Sequence, residues 1–305
     1  MKDKSNILNH IQTLRAFSVL IVFLYHTNIG IFSNGYLGVD IFFLISGFVI
    51  SKKIFDDYKE KGEIDLKNFY SKRIKRIVPN LIFIVSVTYL FYLLFGPPDL
   101  SLFRETLFAL LGLSNLYYIN YSRDYFNNVF EDPLGHTWSL GVEEQFYLIF
   151  PLIIFLFFKI KQNNFIQLKI SLLIILLISL AFFSLNYKDN QLYSFYFSPL
   201  RFWEFLIGTF FYLYKKIFKF NKIIFISSII GILVIIFSSQ NIVVNYYKNI
   251  IILIFSGYII SSYRKNFIFE NRLSVYLGNM SYSFYLWHLP ILFFSDLYIT
   301  SKMNI

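Results

Sequence analysis

The chain has 305 residues, 56% of them hydrophobic, with a mean hydropathy of +0.56, a net charge of +10 and no cysteine. That balance excludes a soluble globular domain, and the missing cysteines exclude disulfides, a thiol nucleophile, a cysteine-bound lipid intermediate and thiolate-held zinc. The positive charge does not point to nucleic acid, because Lys and Arg cluster in loops between apolar runs, as orientation signals do.

Met1–Asn28 starts basic and turns apolar, but it has no A-x-A-like cleavage site and is interrupted by Arg15 and His26. It therefore reads as a retained first helix, not a signal peptide. Apolar runs follow at Ala16–Phe32, Tyr36–Ile54, Ile77–Phe95, Trp138–Phe158, Ile170–Leu185, Pro199–Tyr214, Ile223–Phe237, Ile250–Tyr263 and Leu273–Leu297. A further run, Leu102–Tyr118, comes after a Gly96-Pro97-Pro98-Asp99 turn. The expected fold is all-α, a polytopic transmembrane helix bundle of about nine to ten membrane segments. No internal repeat is visible.

Charge sets the expected topology. Lys52–Arg76 holds nine basic residues and belongs in the cytoplasm, which puts the N-terminus there too. If all ten runs span, the basic loops Lys159/Lys161/Lys169, Lys215/Lys216/Lys219/Lys222 and Arg264/Lys265/Arg272 fall outside. If only one crossing lies between Ile77 and Tyr118, all three fall inside. The second scheme is preferred, with Leu102–Tyr118 interfacial or re-entrant and Asn120–His136 external. It sorts Arg15, Arg73 and Arg76 to the inner side. His26, Asp40, His136, Glu143, Glu144, Arg201, Glu204 and His288 then lie from mid-membrane outward.

Ionisable residues inside a membrane are costly and mark function. Arg15 and His26 are eleven residues apart, roughly 16 Å along a helix and about 20° in azimuth, so they share a face. The pair suits an anionic ligand held by Arg15 and a base or nucleophile at His26. Arg73 and Arg76, at i and i+3, match phosphate oxygens; in isolation a positive-inside anchor is the better explanation of them. A CoA thioester would join the two motifs, phosphates at the basic rim and pantetheine along the Arg15–His26 face. Asp40 has two candidate partners, Arg201 and a histidine. His136 and Glu143 share a face if His136 is already helical. Glu143 and Glu144 require either one protonated acid or cationic partners for both. Arg201 and Glu204 suit a local salt bridge. Ser281, Tyr285 and His288 form a polar stripe fit for a carbohydrate pocket. The four histidines, His10, His26, His136 and His288, would nearly all be needed for a histidine metal site, and no metal is expected.

Six motifs in order carry a resemblance: Arg15-x10-His26, GVDIFFLISGF (Gly38–Phe48), Arg73-x-x-Arg76-x-x-Pro79, HTWSLGVEEQFYLIFP (His136–Pro151), RFWEFLIG (Arg201–Gly208) and LGNMSYSFYLWHLP (Leu277–Pro290). Together they resemble the membrane acyltransferase-3 family of bacterial multi-spanning O-acyltransferases of surface polysaccharides. The resemblance implies an inner-membrane enzyme that uses acetyl-CoA or another acyl-CoA, with His26 catalytic and Arg15, Arg73 and Arg76 binding the donor. The acceptor would be a carbohydrate or lipid-linked glycan, in a pocket of Asp40, His136, Glu144, Arg201, Glu204, Tyr285 and His288. His26 would deprotonate the acceptor hydroxyl, with Glu143 or Asp40 orienting the ring, or would itself carry the acyl group. Asn80-Leu81-Ile82 departs from the aromatic residue often found after the family's Arg-x-x-Arg proline. The expected organisation is one such membrane domain over 1–305, lacking the family's last helix and with no appended soluble domain. A transporter or flippase of lipid-linked glycans is the alternative, and it favours internal repeats.

Overall fold

A computed structural model describes residues 9–97, 101–121, 132–161, 164–187, 189–239, 242–262 and 271–303, the side chains of 242–246, 301 and 303 excepted. Most of Asn120–His136, the turn residues Pro98 and Asp99, and the loop cations Arg264 and Lys265 lie outside the described residues. Every described regular element is helical: α1 (Asn9–His26), a 3-10 turn (Gly30–Phe32), α2 (Leu37–Lys61), α3 (Leu66–Phe95), α4 (Ser101–Leu110), α5 (Ser114–Asn120), α6 (Thr137–Ile160), α7 (Phe165–Asn186), α8 (Gln191–Tyr196), α9 (Ser198–Leu213), α10 (Lys222–Phe237), α11 (Ile242–Ser261) and α12 (Arg272–Met303).

Of the boundaries that differ from the expected segments, three have a local reason. α1 ends at His26 instead of continuing to Phe32, because Asn28 takes φ 61°, a left-handed conformation that asparagine tolerates. The basic stretch Lys52–Arg76 is mostly helix, since Lys and Glu are good helix formers. α2 runs on to Lys61, and α3 starts after Asp65, whose carboxylate accepts the Asn68 N–H at 2.9 Å. The run Leu102–Tyr118 breaks at Gly112, φ 68°, into helices of ten and seven residues. At 1.5 Å per residue neither exceeds about 15 Å, half of a hydrocarbon core.

Among the described residues α3, α6 and α7 are long and apolar enough to cross a membrane, with α10 and Tyr247–Ser261 as shorter apolar helices. α7 shows what surrounds them. It buries only Leu168, Leu172, Ser179 and Phe183, one narrow stripe, while Ile166, Ile170, Ile174, Ile178, Phe182 and Leu185 are exposed. An apolar exterior of this extent is the surface of a membrane protein.

The chain divides into two compact units. Residues 1–53 with 204–285 form the first. Here α2 and α9 cross backbone against backbone: a Cβ on Gly47 would run into the Phe205 carbonyl, and one on Gly208 into that of Leu44. Small residues permit such crossings where no water drives association. Ser51 donates to Thr209 at 2.9 Å beside them, and Phe43 stacks on Phe205 at 4.6 Å. The C-terminus of α10 is capped from a distance. Asn34 Nδ2 donates to the carbonyls of Ile235 (3.2 Å) and Ser238 (2.5 Å), and Lys248 Nζ to Asn34 Oδ1 (3.3 Å) and the Ser239 carbonyl (2.6 Å). A helix C-terminus leaves four carbonyls unmatched and attracts a cation, which accounts for a lysine that is only 4% exposed.

Residues 54–203 with 286–305 form the second unit. Its direction is readable from cross-helix pairs. Phe83 meets Trp287 and Phe91 meets Phe294, at 6.4 and 5.8 Å between ring centres, so α3 runs parallel to the end of α12. Tyr70 donates to the Leu148 carbonyl at 2.8 Å and Arg73 lies over the Tyr147 ring, so α3 runs antiparallel to α6. Tyr58 stacks on Phe158 at 4.0 Å, and Trp138 packs on Phe195 at 4.4 Å, pairs worth about 0.5–1.5 kcal/mol each beyond burial.

Candidate functional site

In the first unit both Arg15 and His26 lie within α1, so the shared face expected from their spacing holds. Arg15 is half-buried, with Nη1 3.5 Å from Gln12 Oε1. His26 is the last residue of α1 and 0% exposed. Its Nδ1 stands 2.9 Å from the Val22 carbonyl oxygen. A carbonyl only accepts, so Nδ1 carries a proton; in the neutral form of the ring the basic lone pair then belongs to Nε2. Tyr25 meets this ring edge-on at 5.1 Å, and the Tyr25 ring in turn meets that of Tyr36 at 5.8 Å. Asp40 is buried in the first turn of α2, where the helix dipole favours a carboxylate. Tyr285 is buried edge-on to Phe42 at 6.0 Å, and Glu204 is buried on α9.

In the second unit the structure joins residues that topology sorted apart. Arg73 Nη2 is 3.9 Å from Glu143 Oε1, its guanidinium carbon is 3.5 Å from the centre of the Tyr147 ring, and Tyr147 OH hydrogen-bonds Glu143. Arg73 and Glu143 therefore meet, although the expected topology put Arg73 on the inner side and Glu143 from mid-membrane outward. The reason is that Arg73 sits two turns inside α3, well past the end of the connecting segment. Arg76, one turn on, is exposed. His136, the residue before α6, already has helical torsions (φ −60°, ψ −18°), which satisfies the condition for sharing a face with Glu143. It meets His288 edge-on at 5.1 Å, both rings buried. Arg201 is buried with its guanidinium carbon 5.3 Å from the Phe195 ring centre and 5.9 Å from those of Trp138 and Phe183. Glu144 lies against the Gly112 turn, where a Cβ would strike its carboxylate.

Sequence reasoning missed several polar partners. Buried Glu105 accepts from the Tyr118 hydroxyl. Asn115, Gln145 and Ser198 hydrogen-bond one another. Gln145 adjoins the two acids in the motif, the one signal that pointed here; Asn115 and Ser198 carry none. Among the described residues no group of three or more His, Asp or Glu side chains is placed to hold a metal ion.

Comparison with known proteins fits this arrangement. Residues 8–304 match the family model described as an acyltransferase domain. The O-acetyltransferase OatA of Staphylococcus aureus strain NCTC 8325 is 36% identical over 312 residues, covering 93% of this chain and 50% of that protein. OatA of strain COL matches to the same extent. The chain thus spans about half the length of these relatives. No solved structure matches it significantly.

Proposed function

The chain belongs to the acyltransferase-3 family, and from that premise we propose that it is a membrane O-acetyltransferase. It moves an acetyl group from cytoplasmic acyl-CoA to a hydroxyl of a surface glycan, or of its lipid-linked precursor, on the outer side of the bacterial cytoplasmic membrane. The name of the OatA relatives supports O-acetyl transfer. The single observation that carries the chemistry is the His26 hydrogen bond to the Val22 carbonyl, which presents Nε2 as the base.

The acceptor O–H gives its proton to Nε2 as the oxygen attacks the thioester carbonyl. The C–S bond then breaks, and the leaving CoA thiolate takes the proton from the imidazolium. Nε2 would equally be the nucleophile of a two-step route through an acyl-imidazole. Arg15, Arg73 and Arg76 are assigned to the anionic donor and Glu143 to proton handling in the second unit. Asp40, His136, Glu144, Arg201, Glu204, Tyr285 and His288 are assigned to the acceptor.

The proposed topology has nine crossings, an N-terminus inside, and α4–α5 re-entrant. It requires α3 to run antiparallel to α6 and parallel to α12, the directions observed; ten crossings would reverse both. The test compares surface glycans by mass spectrometry in cells carrying the wild-type gene, no gene, or His26→Ala. O-acetyl esters present only with the wild type support the reading. Near-normal acetylation by membrane-inserted His26→Ala refutes it.

A further inference from the structure

Asn115, Gln145 and Ser198 close a hydrogen-bonded ring. Gln145 Nε2 donates to Asn115 Oδ1 (2.9 Å), Asn115 Nδ2 to Ser198 Oγ (2.9 Å), and Ser198 Oγ to Gln145 Oε1 (2.5 Å). The remaining amide donors reach main chain: Asn115 to the Tyr196 carbonyl (3.1 Å) and Gln145 to that of Gly112 (3.3 Å). Each amide thus uses both N–H bonds, and the ring has one direction of donation throughout. It ties together α5, α6 and the first residue of α9, through side chains 30, 53 and 83 residues apart in sequence.

Its position gives it a task. Gln145 directly follows Glu143 and Glu144, and through Gly112 it holds the turn on which the Glu144 carboxylate rests. On α6, Gly141 leaves the gap this turn needs: a Cβ there would stand 2.7 Å from Asn115 Oδ1 and 3.1 Å from the Gly112 carbonyl. Gly112 itself must keep φ 68° and no side chain, because a Cβ would displace the carboxylate. A closed polar network of this kind holds one geometry, and opening it leaves buried groups unmatched.

We infer that the Asn115–Gln145–Ser198 ring is a positioning device that aims the Glu144 carboxylate for the transfer reaction. The inference rests on the proposed acyltransferase reading, and its residues act through Glu144 and not on the substrate. Full-length protein in proteoliposomes, given acetyl-CoA and chitopentaose, tests it by initial rates of CoA release for Ser198→Ala, Ser198→Thr, Glu144→Gln and the Ser198→Ala/Glu144→Gln double variant, normalised to folded protein. Ser198→Ala is expected to lower kcat about five- to tenfold with the KM for acetyl-CoA unchanged, and Ser198→Thr, which keeps the hydroxyl, to restore it. In the double variant the loss should be no larger than for Glu144→Gln alone, the non-additivity of residues acting through one group. Additive losses, or a Ser198→Ala effect on the amount of folded protein with kcat intact, overturn the inference and leave the acyltransferase reading standing. Wild-type CoA release with no dependence on acetyl acceptor or on Glu144 overturns both.

Discussion

The two units hold their nitrogen-bearing side chains in different ways. In the first, His26 leans on the Val22 carbonyl, His10 on that of Ile260 at 3.1 Å, and Lys248 on Asn34 and the Ser239 carbonyl. In the second, Arg73 meets a carboxylate and a tyrosine face, Arg201 sits among three rings, and side-chain amides close a ring of their own. Main-chain acceptors stay in place as long as the helix carrying them does, so they define the protonation pattern of one group. Side-chain partners are set by the rotation and register of several helices, so they couple distant segments. The first arrangement suits a base that must present one nitrogen; the second suits a charged centre that responds to what binds it.

The comparison can be broken most sharply at His26. His26→Ala should lower acetyl transfer about 10²–10⁴-fold, the usual share of a positioned general base, while membrane insertion and thermal stability stay near wild type. A large loss of stability instead would make the His26–Val22 bond structural. Next in size is the α2–α9 crossing. Gly47→Leu forces a side chain into the Phe205 main chain and should destabilise the protein by about 3 kcal/mol or more, read as loss of monodisperse protein on detergent extraction. Lys248→Met removes a distant cap from α10 and should cost about 1–3 kcal/mol, visible as a lower thermal midpoint with kcat per folded molecule retained. The smallest stability effect belongs to the second unit. Arg73→Gln separates a partly exposed, long pair (3.9 Å; 18% and 21% exposed) and should change stability by about 1 kcal/mol or less. It should nevertheless raise the KM for acetyl-CoA, measured from initial rates. If Arg73→Gln unfolds the protein while leaving that KM alone, the contrast between the units fails.

Part of the site was legible because it is local. The Arg15–His26 face needs only one helix and its 3.6-residue period, and the stripe of Ser281, Tyr285 and His288 is buried as that period requires. The meeting of Arg73 with Glu143 was not foreseen because the charged stretch was taken for a loop, when it continues α2 and opens α3 as helix. The Asn115–Gln145–Ser198 ring lay beyond reach for a different reason. Its members come from three segments spread over 83 residues, and short polar side chains in apolar runs give no periodic signal of which neighbour they face.

From sequence alone came an all-helical protein with membrane-crossing runs, its family motifs in order, and one helix presenting an arginine and a histidine on the same side. Those features follow from hydropathy and helical period, which act over a few turns. Tertiary structure decided which residues bury the His26 ring, which acid meets Arg73, where the apolar run after Pro97 breaks, and what Glu144 rests on. Each of these depends on where one helix lies along another, and axial register is set by packing between segments that the chain order does not bring together.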